Sequence, residues 1–224
     1  MPPANFDRIA RIYRWLEYLS FGPMLERCRF YRIPQLTPEN FPGRRILVLG
    51  DGDGRFLAHL LARNPRLQAD AVDQSPAMLR LLQSRVASVG GANRVRTHLT
   101  DARAFQPAPQ ADSGATYDAV ITHFFLDCLT IDEVHSLARN LRPQLAPNAL
   151  WIVSEFAIPR GPAALLARAI VGSLYAAFHV ITGLRTRTLP DYADALSQAG
   201  FALHHRQRFL AGLLVSDLWR EESE

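Results

Sequence analysis

A chain of 224 residues, 48% apolar and 21% charged, has the length and composition of one substantial globular core. All 25 of its basic residues are arginine, scattered along the chain, and the net charge is only +4. That mild balance argues against a nucleic-acid footprint. The absence of lysine excludes both a phosphate-binding G-x-x-x-x-G-K-[ST] loop and Schiff-base chemistry. Two cysteines, Cys28 and Cys128, outside any C-x-x-C pattern fit a reducing cytoplasm. The N-terminus lacks the basic and apolar regions of a secretory signal.

In chain order, residues 5–32 read as helical, with Ile9, Ile12, Tyr13, Leu16 and Leu19 at three- and four-residue intervals. Gly22-Pro23 breaks that pattern and a second helix follows. Pro34, Pro38, Pro42 and Gly43 form a connector. Strands are then expected at 46–50, 69–73, 94–99, 117–122 and 149–156, with helices at 54–63, 75–88 and 131–142. This alternation predicts an α/β fold, a doubly wound and mostly parallel sheet with helices on both faces. Residues 106–114 are a surface loop, and 201–218 add two strands, the last antiparallel.

Residues 163–184 are apolar almost all round, interrupted by Arg168 and His179. The uncharged part, 169–184, falls short of the ~20 residues a membrane span needs. The expected roles are a lid over an apolar substrate, placing Tyr175, Phe178 and His179 near it, or a homodimer contact; a core helix is the plain alternative.

The strongest local signal is Ile46-Leu-Val-Leu-Gly-Asp-Gly-Asp-Gly-Arg-Phe56, an apolar strand entering Gly50, Gly52 and Gly54 and then a helix. Such a turn points backbone N–H groups outward, and its glycines admit a ligand close to the main chain. Asp73 follows at the end of the second strand, where doubly wound sheets bind ribose hydroxyls. The dinucleotide fingerprint G-x-G-x-x-G fails at its third place, which is Arg55.

The run resembles the first motif of the class I S-adenosylmethionine-dependent methyltransferases. Asp73-Gln-Ser-Pro-Ala-Met-Leu79 resembles the family's second motif, and Leu99-Thr-Asp-Ala102 is similar to its third. The N-terminal Phe6–Tyr13 run, Pro190-Asp-Tyr and Ala199-Gly-Phe201 resemble the ubiquinone- and menaquinone-type group. The resemblance implies a seven-stranded Rossmann-like methyltransferase fold, with an N-terminal helical cap (1–43), a core (44–224) and a lid insertion after strand five (160–190). It also implies S-adenosylmethionine as cofactor, bound by Tyr13, Gly50, Asp51, Gly52, Gly54, Asp73, Gln74, Met78, Asp101, Ala102 and His123. The family usually carries an acid two residues before the first glycine, at the methionine end of the cofactor. Val48 stands there, so Asp51 or Asp53 is the candidate replacement.

Methyl transfer from a sulfonium needs an aligned nucleophile, excluded water and, for an O–H or N–H acceptor, a base. His123-Phe-Phe-Leu-Asp-Cys128 follows the fourth strand, at the ligand-binding end of such sheets. Asp127 and His123 are therefore the candidate bases, and Phe124, Phe125 and Glu155 the candidate acceptor contacts, beside the plain alternatives of packing, helix capping and a structural salt bridge. No resident metal is expected, since no H-E-x-x-H pair is present and His204-His205 on a strand would face opposite sides. The expected function is methyl transfer to a small apolar or aromatic acceptor, in the cytoplasm, with no nucleic-acid partner and no stable membrane span. The rivals are a non-catalytic S-adenosylmethionine-binding partner protein, suggested by Val48, and a nicotinamide-dependent oxidoreductase, disfavoured by Arg55.

Overall fold

The computed structural model describes residues 21, 23–106, 117–182 and 189–222. Tyr13, the rest of the first expected helix and nearly all of the expected 106–114 loop lie outside them, as do the side chains of Phe178 and His179.

The expected alternation is present. Strands β1 (Arg45–Leu49), β2 (Gln68–Asp73), β3 (Val95–Leu99), β4 (Tyr117–His123), β5 (Leu145–Phe156), β6 (Phe201–Phe209) and β7 (Leu214–Glu221) form one seven-stranded sheet in the order β3-β2-β1-β4-β5-β7-β6. The pairings among β1–β5 are parallel, and β7 runs antiparallel to both β5 and β6. Helices are α1 (Met24–Phe30), α2 (Arg55–Arg63), α3 (Pro76–Ser88), α4 (Ile131–Leu141), α5 (Ala163–Thr182) and α6 (Tyr192–Gln198).

Strand periodicity divides the core in two. Leu47, Leu49 and Val120 join residues of α4 and α6 on one face. Ile46, Val48, Ala119 and Ile121 join Phe56, Leu57, Leu60 and Leu61 of α2 with Leu82 and Val86 of α3 on the other. Burying both faces explains why the central strands read as unbroken apolar runs. Val48 is 1% exposed within this second cluster, so the position holds packing and not charge.

Helix starts follow local chemistry. Ser75 accepts from the Met78 N–H at 3.2 Å and Pro76 opens α3. Thr130 and Glu133 form a capping box on α4, so the cap there is Thr130, and Asp127 does not serve as one. Strand β5 begins four residues before the expected 149. Leu145 pairs with Tyr117 and the register then shifts, with Asn148 at φ +61°. That irregularity depends on a partner strand and leaves no local signature.

Among the described residues no helix is long and apolar enough to cross a membrane. Helix α5 buries Ala167, Val171 and Tyr175 against Leu213, Phe156, Ile158 and Cys128, and leaves Leu165 and Leu166 exposed.

Candidate functional site

Strand order reverses between β1 and β4, and the crevice beyond their carboxyl ends is where such sheets take ligands. The β1–α2 turn lies there. Gly50, Gly52 and Gly54 all have positive φ, at +66°, +62° and +78°. Their surroundings differ. A Cβ on Gly54 would come within 2.6 Å of the Leu82 backbone, and one on Gly50 within 2.5 Å of the Phe125 ring. A Cβ on Gly52 would meet nothing within 4 Å. Gly54 therefore serves helix packing, Gly50 the seating of Phe125, and Gly52 leaves main chain open to a ligand.

Of the two loop acids, the geometry separates their tasks. Asp53 is held by Arg55 and Arg85, each at 2.9 Å, which commits it to the scaffold. The Oδ2 of Asp51 accepts from the Leu57 N–H at 3.1 Å, while its Oδ1 is buried without a hydrogen-bond partner. Burial raises the Asp51 carboxyl to about 7; Arg29 and the Leu57 N–H pull it down, and Asp53 pushes it up. Arg29 comes from α1, is 5% exposed and lies with its guanidinium 5.6 Å from the Phe124 ring centre. Sequence reasoning missed Arg29. On a seven-residue helix nothing distinguishes it from Arg27, and only its burial marks it.

The strand ends beyond β2 and β3 supply further polar groups. Asp73, half-buried, accepts from the Ser75 N–H at 2.8 Å through Oδ1. Gln74 is exposed and Met78 buried. Asp101 is gripped by Arg103 through both oxygens, and Arg103 also pairs with Glu133; the Asp101 carboxyl is held below its ordinary range by that guanidinium. Ala102 is buried behind it.

After β4 the chain turns sharply. Phe124 sits at φ +52°, a conformation that costs a non-glycine residue of order 1–3 kcal/mol and clusters at functional sites. Its ring meets Phe156 at 5.4 Å, and Phe156 meets Phe21 at 5.4 Å, forming an aromatic wall. His123 is 3% exposed, edge-on to Phe56 at 4.4 Å, with neither ring nitrogen hydrogen-bonded. Burial, aided by Arg29, holds its pKa well below the ordinary 6.5, so the ring is neutral.

Glu155 of β5 reaches across to this turn. Its Oε1 accepts from the N–H groups of Phe125 (2.9 Å) and Leu126 (2.8 Å), and its Oε2 is buried without a partner. Burial and the neighbouring Asp127 carboxyl push Glu155 well above the usual carboxylate range. Asp127 is itself raised to about 6 by burial, against the lowering contact of the Cys128 thiol at 3.5 Å. From α5 the Tyr175 hydroxyl donates to the Asp127 carbonyl at 2.9 Å. Hydrogen bonds thus tie the turn that carries Phe124, Phe125 and Asp127 to Glu155 of β5 and Tyr175 of α5.

Residues 47–151 match the family described as a methyltransferase domain. An O-methyltransferase family protein from Burkholderia thailandensis superposes with a TM-score of 0.66 at 16% identity, covering 97% of this chain and 58% of that one. The N-methyltransferase NodS from Bradyrhizobium japonicum WM9, in complex with S-adenosyl-l-homocysteine, gives 0.62 at 13% identity, covering 89% and 88%. Among curated proteins, polyamine aminopropyltransferase 2 of Bacillus anthracis is 34% identical over 87 residues. That stretch is 36% of this chain, and the match spans only 23% of the relative's length. The family match runs from β1 through the glycine turn and the ends of β2, β3 and β4 into β5, so residues 47–151 are a methyltransferase domain, with the fold that the superposed methyltransferases share.

Proposed function

We propose that this protein transfers the S-methyl group of S-adenosylmethionine to a small acceptor with an apolar or aromatic body. The observation that carries the reading is the open main chain at Gly52, beside the buried and unpartnered Oδ1 of Asp51, at the β1–β4 switch point. These residues fit the cofactor. Asp73 would accept from the ribose hydroxyls, Gln74, Met78, Asp101 and Ala102 would line the adenine, and Asp51 would face the methionine ammonium in place of an acid at Val48. When bound, the cofactor supplies an electrophilic methyl on a sulfonium; the protein's own contribution is alignment, exclusion of water and proton removal.

In this reading the N-terminal residues 1–43, Tyr13 included, cap the cofactor. The insertion 160–190 covers the acceptor, with Tyr175, Phe178 and His179 facing it. Phe124 and Phe125 pack the acceptor. Asp127, raised to about 6 yet only partly buried, is the base that serves near neutral pH. His123 is shut behind Phe56 and better suited to shaping the pocket wall. The curated relatives are named for polyamine chemistry, which is one reason to include amines among the acceptors tried.

Titration calorimetry with S-adenosylmethionine and S-adenosylhomocysteine, followed by transfer of a labelled methyl group to an acceptor panel, tests the proposal. Binding with turnover is the expected result. Binding without turnover on any acceptor supports the non-catalytic rival, and absence of binding refutes the cofactor site.

A further inference from the structure

We infer that the acceptor enters as an ammonium ion, seated on the paired carboxyl groups of Asp127 and Glu155. This rests on the methyl-transfer reading above and names the substrate class of that site.

The pair is placed like a receptor for a cation. Glu155 is 1% exposed, anchored through Oε1 by two backbone N–H groups, and its Oε2 has no partner. Glu155 is bonded to the backbone of the turn that carries Asp127, through the two residues just before it, so both carboxyl groups belong to one turn. No ion pair among the described residues involves either side chain. Groups that bond to or interact with them include the Cys128 and Cys28 thiols, the Tyr175 and Tyr192 phenols and backbone N–H groups. Arg29, whose guanidinium lies 5.6 Å from the Phe124 ring centre, acts on Asp51, His123 and Cys28.

A carboxyl group buried as Glu155 is, with no cation beside it, is costly to keep ionised and favours its protonated form. An ammonium ion restores the balance; a hydroxyl, which carries no charge, does not. Tyr175, whose hydroxyl donates to the Asp127 carbonyl, adds aromatic surface beside the turn, and ring faces attract cations. A metal ion is a poorer occupant, because no cluster of three or more metal-ligating side chains occurs among the described residues.

The step balances. The ammonium gives one proton to the Asp127 carboxylate, freeing the nitrogen lone pair. That pair forms the N–C bond as the C–S bond breaks, and the C–S electrons stay on sulfur as a neutral thioether. The product is an N-methyl ammonium ion, and the proton on Asp127 passes to solvent.

The test uses the full chain loaded with S-adenosylhomocysteine and titrated with 2-phenylethylamine, benzylamine and 2-phenylethanol. The expected result is binding of at least one amine, none of the alcohol, and at least tenfold weaker amine binding in Glu155→Gln and in Asp127→Asn. Gln keeps the oxygen that accepts from Phe125 and Leu126, so the turn is preserved. Both variants should bind S-adenosylmethionine within twofold of wild type. Preference for the alcohol, or no binding of either amine, overturns the inference while leaving the methyl-transfer reading intact. Selective loss of S-adenosylmethionine over S-adenosylhomocysteine affinity in the variants also overturns it, since the pair would then serve the donor's sulfonium. Failure of wild type to bind either cofactor form refutes the earlier reading, and this one with it.

Discussion

On the donor side of the cleft, the proposed cofactor groups come mainly from two short stretches, residues 50–54 and 73–78, each a strand end running into a helix. On the proposed acceptor side, Asp127, Glu155 and Tyr175 come from three elements joined by hydrogen bonds spanning 29 to 48 residues of sequence. The donor half is fixed by backbone conformation: three positive-φ glycines, and turn and cap hydrogen bonds at Asp51 and Ser75. The acceptor half is fixed by side chains that must first be brought together by the sheet. A local turn withstands change at a distance, whereas an assembled rim can be retuned one side chain at a time. This is a physical basis for one donor site serving many acceptors.

The comparison breaks most visibly at Gly54. Gly54→Val should unfold the turn, because the new side chain meets the Leu82 backbone at a left-handed φ. Strain and overpacking together cost on the order of 3 kcal/mol or more. Melting temperature and cofactor affinity should fall together. Gly52→Ala, in open space, should instead lose affinity with a melting-temperature drop worth only about 1 kcal/mol. Equal thermal damage in the two variants would refute the division of labour among the glycines.

Next in size is Asp73→Ala, which removes a charged hydrogen-bond acceptor worth ~1.5–3 kcal/mol, or roughly ten- to a hundred-fold in S-adenosylmethionine affinity. Unchanged affinity by calorimetry would remove the ribose assignment.

Asp51 sharpens the contrast through pH. Its native carboxyl is raised to about 7, so the folded protein holds that proton more tightly than the unfolded chain does. The associated stability is fully present below the ordinary carboxylate range and is lost as pH rises through about 7. Asp51→Asn should therefore raise the cofactor-free melting temperature at pH 8. Binding the cofactor's ammonium requires the ionised form, so affinity should fall by up to about tenfold per pH unit below pH 7 and flatten in Asp51→Asn. Arg29, Asp53 and Arg55 are the other charges acting on this carboxyl. A flat wild-type profile would dismiss Asp51 as the anchor. Val48→Asp should add little affinity, because it puts an acid into the apolar cluster around Phe56.

The smallest effect is expected at Tyr175→Phe, which deletes one hydrogen bond to the Asp127 carbonyl, about 1 kcal/mol. Acceptor turnover should drop several-fold with cofactor affinity unchanged. A variant that chiefly melts earlier would make α5 a core helix and end the lid proposal.

The sequence by itself determined the strand–helix alternation, the glycine turn and the acids at strand ends. These are written in short-range patterns: apolar runs, turn glycines and acids that follow them. Tertiary structure decided the rest. It seated β7 between β5 and β6, started β5 at Leu145 through its pairing with Tyr117, and enclosed His123 behind Phe56. It also told Asp51 from Asp53, two residues apart and chemically identical, because Arg85 arrives on Asp53 from 32 positions away while Asp51 is buried beside Arg29. Desolvation and ion pairing are properties of what surrounds a side chain, and the neighbours of these acids are set by the sheet, not by the residues beside them in the chain.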